Sequence, residues 1–158
     1  MLKKNLSKPD TAPHKFEKTY IDTIAFAQEC HAFLEERFAG ACEYEADSRD
    51  FKVIHVCPDG YSHIIAFILK KLYGNRPLTI SFSKQEDEFR VTLKFNPNEL
   101  SEKELENLNA IAARSGFTMR RYKNCIVLIA EASDVTALSI YARSELKIYR
   151  SLLNAVEN

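Results

Sequence analysis

Few residues of this chain have the types and spacing that chemistry needs. Cys57 lies close to His55 and His63, so a thiol beside an imidazole base is one arrangement to weigh. Asn75, Asn96 and Asn98 carry amide oxygens of the kind that can hold a hard cation. His31, in QECHAFLEER, is the only histidine on a predicted helix with acidic neighbours, at Glu29, Glu35 and Glu36, although such a residue is more often a half-buried helix histidine. His14, His31, His55 and His63 lack metal-ligand spacing, and Cys30, Cys42, Cys57 and Cys125 form no CxxC pair. Each cysteine falls inside an apolar pattern, which predicts buried free thiols in a reducing compartment. Neither a metal nor a cofactor is expected.

Hydropathy patterning sets the elements that would position these groups. Residues 1–15 carry Pro9, Pro13 and several lysines without periodicity and read as a flexible leader. From Phe16 onward, Tyr20, Ile24, Ala27, Cys30, Leu34 and Phe38 recur at helical spacing, predicting one long amphipathic helix that ends at Gly40. CEYEAD and FKVIHVC alternate as strands; Pro58 stops the second, and Asp59 can cap a helix through GYSHIIAFILKKLYG that Gly74 and Pro77 end.

LTISFSK and EFRVTLKF predict an antiparallel hairpin around Gln85 to Asp87. In VTLKFNPNEL, Val91, Leu93 and Phe95 share one strand face before an Asn-Pro-Asn turn. Ser101 and Glu104 form an S-x-x-E capping box, with Leu105, Leu108, Ile111 and Ala112 as the apolar stripe of the helix behind it. Gly116 closes that helix, and FTMRRY with CIVLIAEA predicts a second hairpin turning at Lys123 and Asn124. A final helix is expected from near Ser133, with Val135, Leu138, Ala142, Leu146, Tyr149, Leu153 and Val156 on one face. Helices that each have one apolar stripe need a common surface. The expected class is therefore α+β, a two-layer sandwich in which a mixed sheet carries its helices on one face and an extra C-terminal helix follows.

Composition narrows the function. The chain of 158 residues suits one domain with a sizeable core. Lys+Arg and Asp+Glu both number 22, so no whole-chain field argues for nucleic acid or an anionic membrane, and neither is expected as a partner. The longest apolar run, within Ile64 to Leu69, is far short of the ~18–20 residues of a membrane span. MLKKNLSKPDTAPHK has no apolar h-region behind it, so a cytoplasmic protein is expected.

Laid end to end, these elements resemble the ATP-binding domain of sensor histidine kinases and the related GHKL (Bergerat) ATPases over roughly Tyr20 to Ala132. VCPDGYSHIIAFILKKLYG is similar to the family's N-box helix, of the form D-x-x-x-L-x-x-I-L-x-N-L-L-x-N-A. VTLKFNPNEL stands where the family has V-x-V-x-D-N-G-x-G-I, and SEKELENL matches the helix that follows. The resemblance divides the chain into the leader, an ATPase-like domain over residues 16–132 and a C-terminal helix over 133–158 that packs on the domain or dimerises.

Carried over residue by residue, the resemblance implies a nucleotide pocket without its chemistry. The magnesium-holding N-box asparagine falls on Lys71 and the asparagine before it on Phe67. The adenine-reading aspartate falls on Phe95, followed by Asn96, and the two glycines fall on Pro97 and Glu99. The second glycine box has no room, because only the helix from Ser101 to Ser115 separates the hairpins. The resemblance therefore points to a non-catalytic module in bacterial-type signalling, binding a protein such as a response regulator or a sensor kinase, with a homodimer through the C-terminal helix. Histidine phosphotransferases with degenerate ATPase domains are the related case, and by that analogy His31 is a candidate phosphoacceptor. The alternative is an active ATP-binding domain with divergent motifs, in which Asn75, Asn96 or Asn98 would serve the metal.

Overall fold

A computed structural model describes residues 16–38, 52–72, 78–134 and 145–157. Strand β1 (Thr19–Asp22) leads into helix α1 (Thr23–Arg37), followed by β2 (Val53–Val56), α2 (Pro58–Leu72), β3 (Thr79–Gln85) and β4 (Glu88–Lys94). A 3-10 turn (Pro97–Glu99), α3 (Glu102–Arg114), β5 (Thr118–Arg121), β6 (Cys125–Ser133) and α4 (Lys147–Glu157) complete the order.

Strand β6 organises the sheet. Along one edge it pairs with β4, Val91 opposite Leu128; along the other it pairs first with β5, Arg120 opposite Val127, and then with β2, Ile54 opposite Ala132. β3 extends the sheet beyond β4, and β1 extends it beyond β2. Every pairing among the described residues is antiparallel, where a mixed sheet was expected. Hairpins supply two of the contacts, and β6 is long enough to take β5 and β2 in succession on one edge.

Alternation puts Phe82, Phe89, Val91, Leu93, Ile126, Leu128 and Ala130 into the core with the buried faces of the helices. Phe26 of α1 is the hub. Its ring meets Tyr61 of α2 edge-on at 4.6 Å, and it also contacts Phe82, Phe89 and Phe117, tying two helices to the sheet.

Two boundaries depart from expectation. The first helix begins at Thr23, because Thr19–Asp22 pairs with β2 and the Asp22 carboxylate then accepts the Ala25 N–H at 2.6 Å as an N-cap. Tyr20 is consequently an exposed strand residue stacked on His55, at 4.3 Å between ring centroids. At the other end, Ser133 closes β6 opposite Val53 and does not start a helix. Glu145 and Leu146 have positive φ, and the helix described after them, from Lys147, buries Ile148 and Leu152, while Leu146 is half exposed. CEYEAD, Cys42, Gly40, Gly74, Asn75, Pro77, Val135, Leu138 and Ala142 lie outside the described residues. Cys30 and Cys57 are buried free thiols, and Cys125 is half buried.

α4 packs across α1 and α2. Glu29 of α1 receives its N-terminus: Oε2 accepts the Leu146 N–H at 3.2 Å, and Oε1 accepts those of Ile148 and Tyr149 at 3.1 and 3.2 Å. The Tyr149 hydroxyl donates to Glu36, which holds the phenol above its ordinary range, and the Ser151 hydroxyl donates to Asp59 of α2 at 2.5 Å.

Candidate functional site

Near the positions singled out above, a groove of about 330 Å³ runs between α2 and α3, lined by His63, Phe67, Glu104, Asn107, Leu108, Ala110 and Ile111. Two local features set its walls. His63, Phe67 and Lys71 recur every four residues along α2 and so form one stripe facing α3. The start of α2 is held close to the end of α3: the Cys57 N–H donates to the Ser115 carbonyl at 2.9 Å, and a Cβ on Gly60 would lie 1.8 Å from Ser115 Oγ. Gly116, at φ +94°, then turns the chain where a Cβ would meet the His55 carbonyl at 2.7 Å.

The opposite wall begins with the capping box. Ser101 Oγ accepts the Glu104 N–H at 3.1 Å, and Glu104 Oε1 accepts the Ser101 N–H at 2.9 Å. Glu104 Oε2 is left for Lys71 Nζ at 2.9 Å, so an ion pair closes one rim of the groove. The Ser101 amide first, and the Lys71 ammonium second, hold the Glu104 carboxyl below the usual range.

Phe67 lines the groove half buried, and Lys71 reaches it only through Glu104. The other positions do not line it. Phe95, at the end of β4, is 5% exposed and belongs to the core. Asn96 caps the 3-10 turn, its side-chain oxygen accepting the Asn98 N–H at 2.9 Å; Pro97 is buried at the turn's first position, and Glu99 is on its exposed side. His31 is on α1, its Nε2 at 2.9 Å from Glu35. The other two carboxylates expected around it, Glu29 and Glu36, serve α4 instead.

The thiol–imidazole arrangement is not assembled. Cys57 Sγ accepts the Gly60 N–H at 3.4 Å, and burial pushes its thiol up, the reverse of an activated nucleophile. His55 lies on the open sheet face against Tyr20, and His63 lines the groove. Among the described residues no three His, Cys, Asp or Glu side chains come together as a metal site, and no helix is long and apolar enough to cross a membrane. As groove residues, His63, Asn107 and Ala110 were not anticipated, although the four-residue spacing His63-Phe67-Lys71 was readable in the sequence.

No family model matches the sequence, and no curated protein matches it. Among solved structures, the histidine kinase AdeS of Acinetobacter baumannii superposes with a TM-score of 0.51 at 14% identity, over 74% of this chain and 68% of that one. The chain has the histidine-kinase ATPase-domain fold. Also similar are the ATP binding domain of PrrB from Mycobacterium tuberculosis (TM-score 0.47, 11% identity, 75% of this chain and 98% of that one) and the cytoplasmic segment of histidine kinase QseC (TM-score 0.46, 12% identity, 82% and 87%). Within this histidine-kinase-type fold the α2–α3 groove is built from the helix that resembles the N-box helix and the helix after β4, two of the elements that carried the sequence resemblance.

Proposed function

We infer that the chain is a non-catalytic histidine-kinase-type ATPase-like domain acting as a protein-interaction module in bacterial-type two-component signalling, with a response regulator or a sensor kinase as its class of partner. The observation that carries this reading is Phe95. At the position where the resemblance calls for an adenine-reading carboxylate stands an aromatic ring, 5% exposed and packed in the core.

Three further features support it. Lys71, at the metal-asparagine position, is engaged with Glu104. Pro97, at a glycine position, is buried and has no N–H to offer a phosphate. Phe67 presents a half-buried ring to the groove where an amide would be needed. The residues present do not fit Mg-ATP. His31 has no part in this reading.

The energetics run the same way. Each lost contribution, whether carboxylate, metal ligand or backbone amide, is worth ~1–3 kcal/mol, while millimolar affinity is only about 4 kcal/mol. Titration calorimetry with ATP and magnesium is expected to give no saturable heat corresponding to a Kd below about 100 μM. Saturable binding tighter than that would return the chain to the active, divergent ATP-binding reading.

A further inference from the structure

The sheet has a second face, turned away from the helices, and its two ends carry opposite charge. At one end the β3–β4 turn exposes Glu86 and Asp87, and the register sets Glu88 opposite Glu131. These four carboxylates line a broad concavity of about 710 Å³, in which Arg90 is the one cation among the described residues and is already bound to Glu88 at 2.7 Å.

At the other end, ~20 Å along the strands at 3.4 Å per residue, the β5–β6 turn carries Arg120, Tyr122 and Lys123, all exposed. Tyr122 is among the most exposed large hydrophobic residues of those described, at 49%. Arg121 takes no part, since it points to the helical side and pairs with Glu102 at 3.0 Å. Between the two ends, the β6 positions on this face are Val127 and Ile129, already largely covered by their neighbours at 8% and 7% exposed, so the charged ends and not an apolar centre carry the contact.

We propose that this face pairs with the same face of a second copy about a two-fold axis, the basic β5–β6 tip of each lying in the acidic concavity of the other. A two-fold contact needs a self-complementary surface, and one face with opposite charges at its ends becomes so when two copies are laid antiparallel. The charge complementarity is doubled, because both tips meet both concavities. Equal numbers of basic and acidic residues, 22 of each, leave no net charge to keep the copies apart. Tyr122 brings an aromatic surface to each tip. A contact carried by exposed charges at its two ends fits a weak, salt-sensitive dimer. In α4, Ile148 and Leu152 are buried within their own domain and are not available to a second copy.

Charge reversal provides the test, with the full chain followed by sedimentation velocity. One variant reverses the tip (Arg120→Glu with Lys123→Glu) and another reverses the concavity (Asp87→Lys with Glu131→Lys); all four positions are exposed. At about 200 μM protein and about 25 mM salt the parent is expected to dimerise, with association at least about tenfold weaker at about 500 mM salt. Each reversed variant alone should be monomeric, because its tips and concavities then share one sign. An equimolar mixture of the two should regain a dimer, and so should a single chain carrying both reversals. A parent that stays monomeric at low salt overturns the proposal. So does a parent dimer that neither reversal weakens, or a mixture of folded variants, checked by circular dichroism, that stays monomeric.

Discussion

On the side of α2 that meets α4, the exposed Asp59 accepts from Ser151, and Ser62, Ala66 and Leu69 follow it at helical spacing as buried residues; on another flank, His63, Phe67 and Lys71 face α3 across a groove. The two flanks belong to the same fifteen-residue helix and differ in how they are finished. The sealed flank combines small side chains that admit a neighbour closely with polar contacts from Glu29 and Asp59 that orient it. The open flank has bulkier side chains and a single rim ion pair. One side of a helix is therefore part of the folding unit, and the other remains available for contact without unfolding anything.

Changes that reach the core should cost most, those on the sealed flank next, and those on the open rim least. Phe95→Asp is expected to cost about 4 kcal/mol or more in urea unfolding, since a Phe-sized loss alone is worth ~3–5 kcal/mol and a carboxylate is buried without a partner. It should create no ATP binding. A variant as stable as the parent would mean that the end of β4 opens to solvent, and the contrast between closed core and open groove would fail.

Leu152→Ala should cost ~2–4 kcal/mol, because the side chain is fully buried in the shared core. If it cost less than about 1 kcal/mol, α4 would be an appendage and the sealed flank a misnomer. Glu29→Ala, which strips the acceptor from three N–H groups, should cost ~1–2 kcal/mol by the scale of N-capping. Its proper readout is the amide exchange of α4, which should rise while that of α3 stays unchanged.

The smallest effect belongs to the rim. Lys71→Ala should change stability by less than ~1 kcal/mol, the scale of an exposed ion pair. Glu104 adds a pH signature of known sign. Its folded value is depressed, so its contribution is present above the unfolded carboxylate range, about 4.3, and is lost as pH falls through the folded value. Glu104→Gln should flatten that part of the acid-denaturation profile, leaving the rest in place.

Much of this architecture was legible in the residues because it is local. The hairpin ending at VTLKF, the Asn-Pro-Asn turn, the Ser101–Glu104 box and the Lys123-Asn124 turn each draw on contacts a few residues apart, and all form as read. The groove stripe His63-Phe67-Lys71 belongs to the same class, since helical spacing alone aligns it. The two misplaced boundaries do not. Tyr20 fits a helical period, and the last helix was expected from near Ser133, yet Tyr20 pairs with His55 and Ser133 with Val53.

The sequence by itself determined the helices of α2 and α3, the two hairpins and their turns, the Ser101–Glu104 box, and which residues, Phe67, Lys71, Phe95, Pro97 and Glu99, the resemblance sets against the family's polar positions. Only the tertiary structure decided that Phe95 sits in the core while Phe67 lines a groove, that Lys71 meets Glu104, and that Glu29 leaves His31 to hold α4. Caps and turns are satisfied by neighbours within the reach of one turn of chain, so their chemistry is written in adjacent letters. A side chain's burial and a carboxylate's partner depend on elements brought together across long stretches of sequence, and the apolar pattern alone does not say which of two stripes on one helix will be covered.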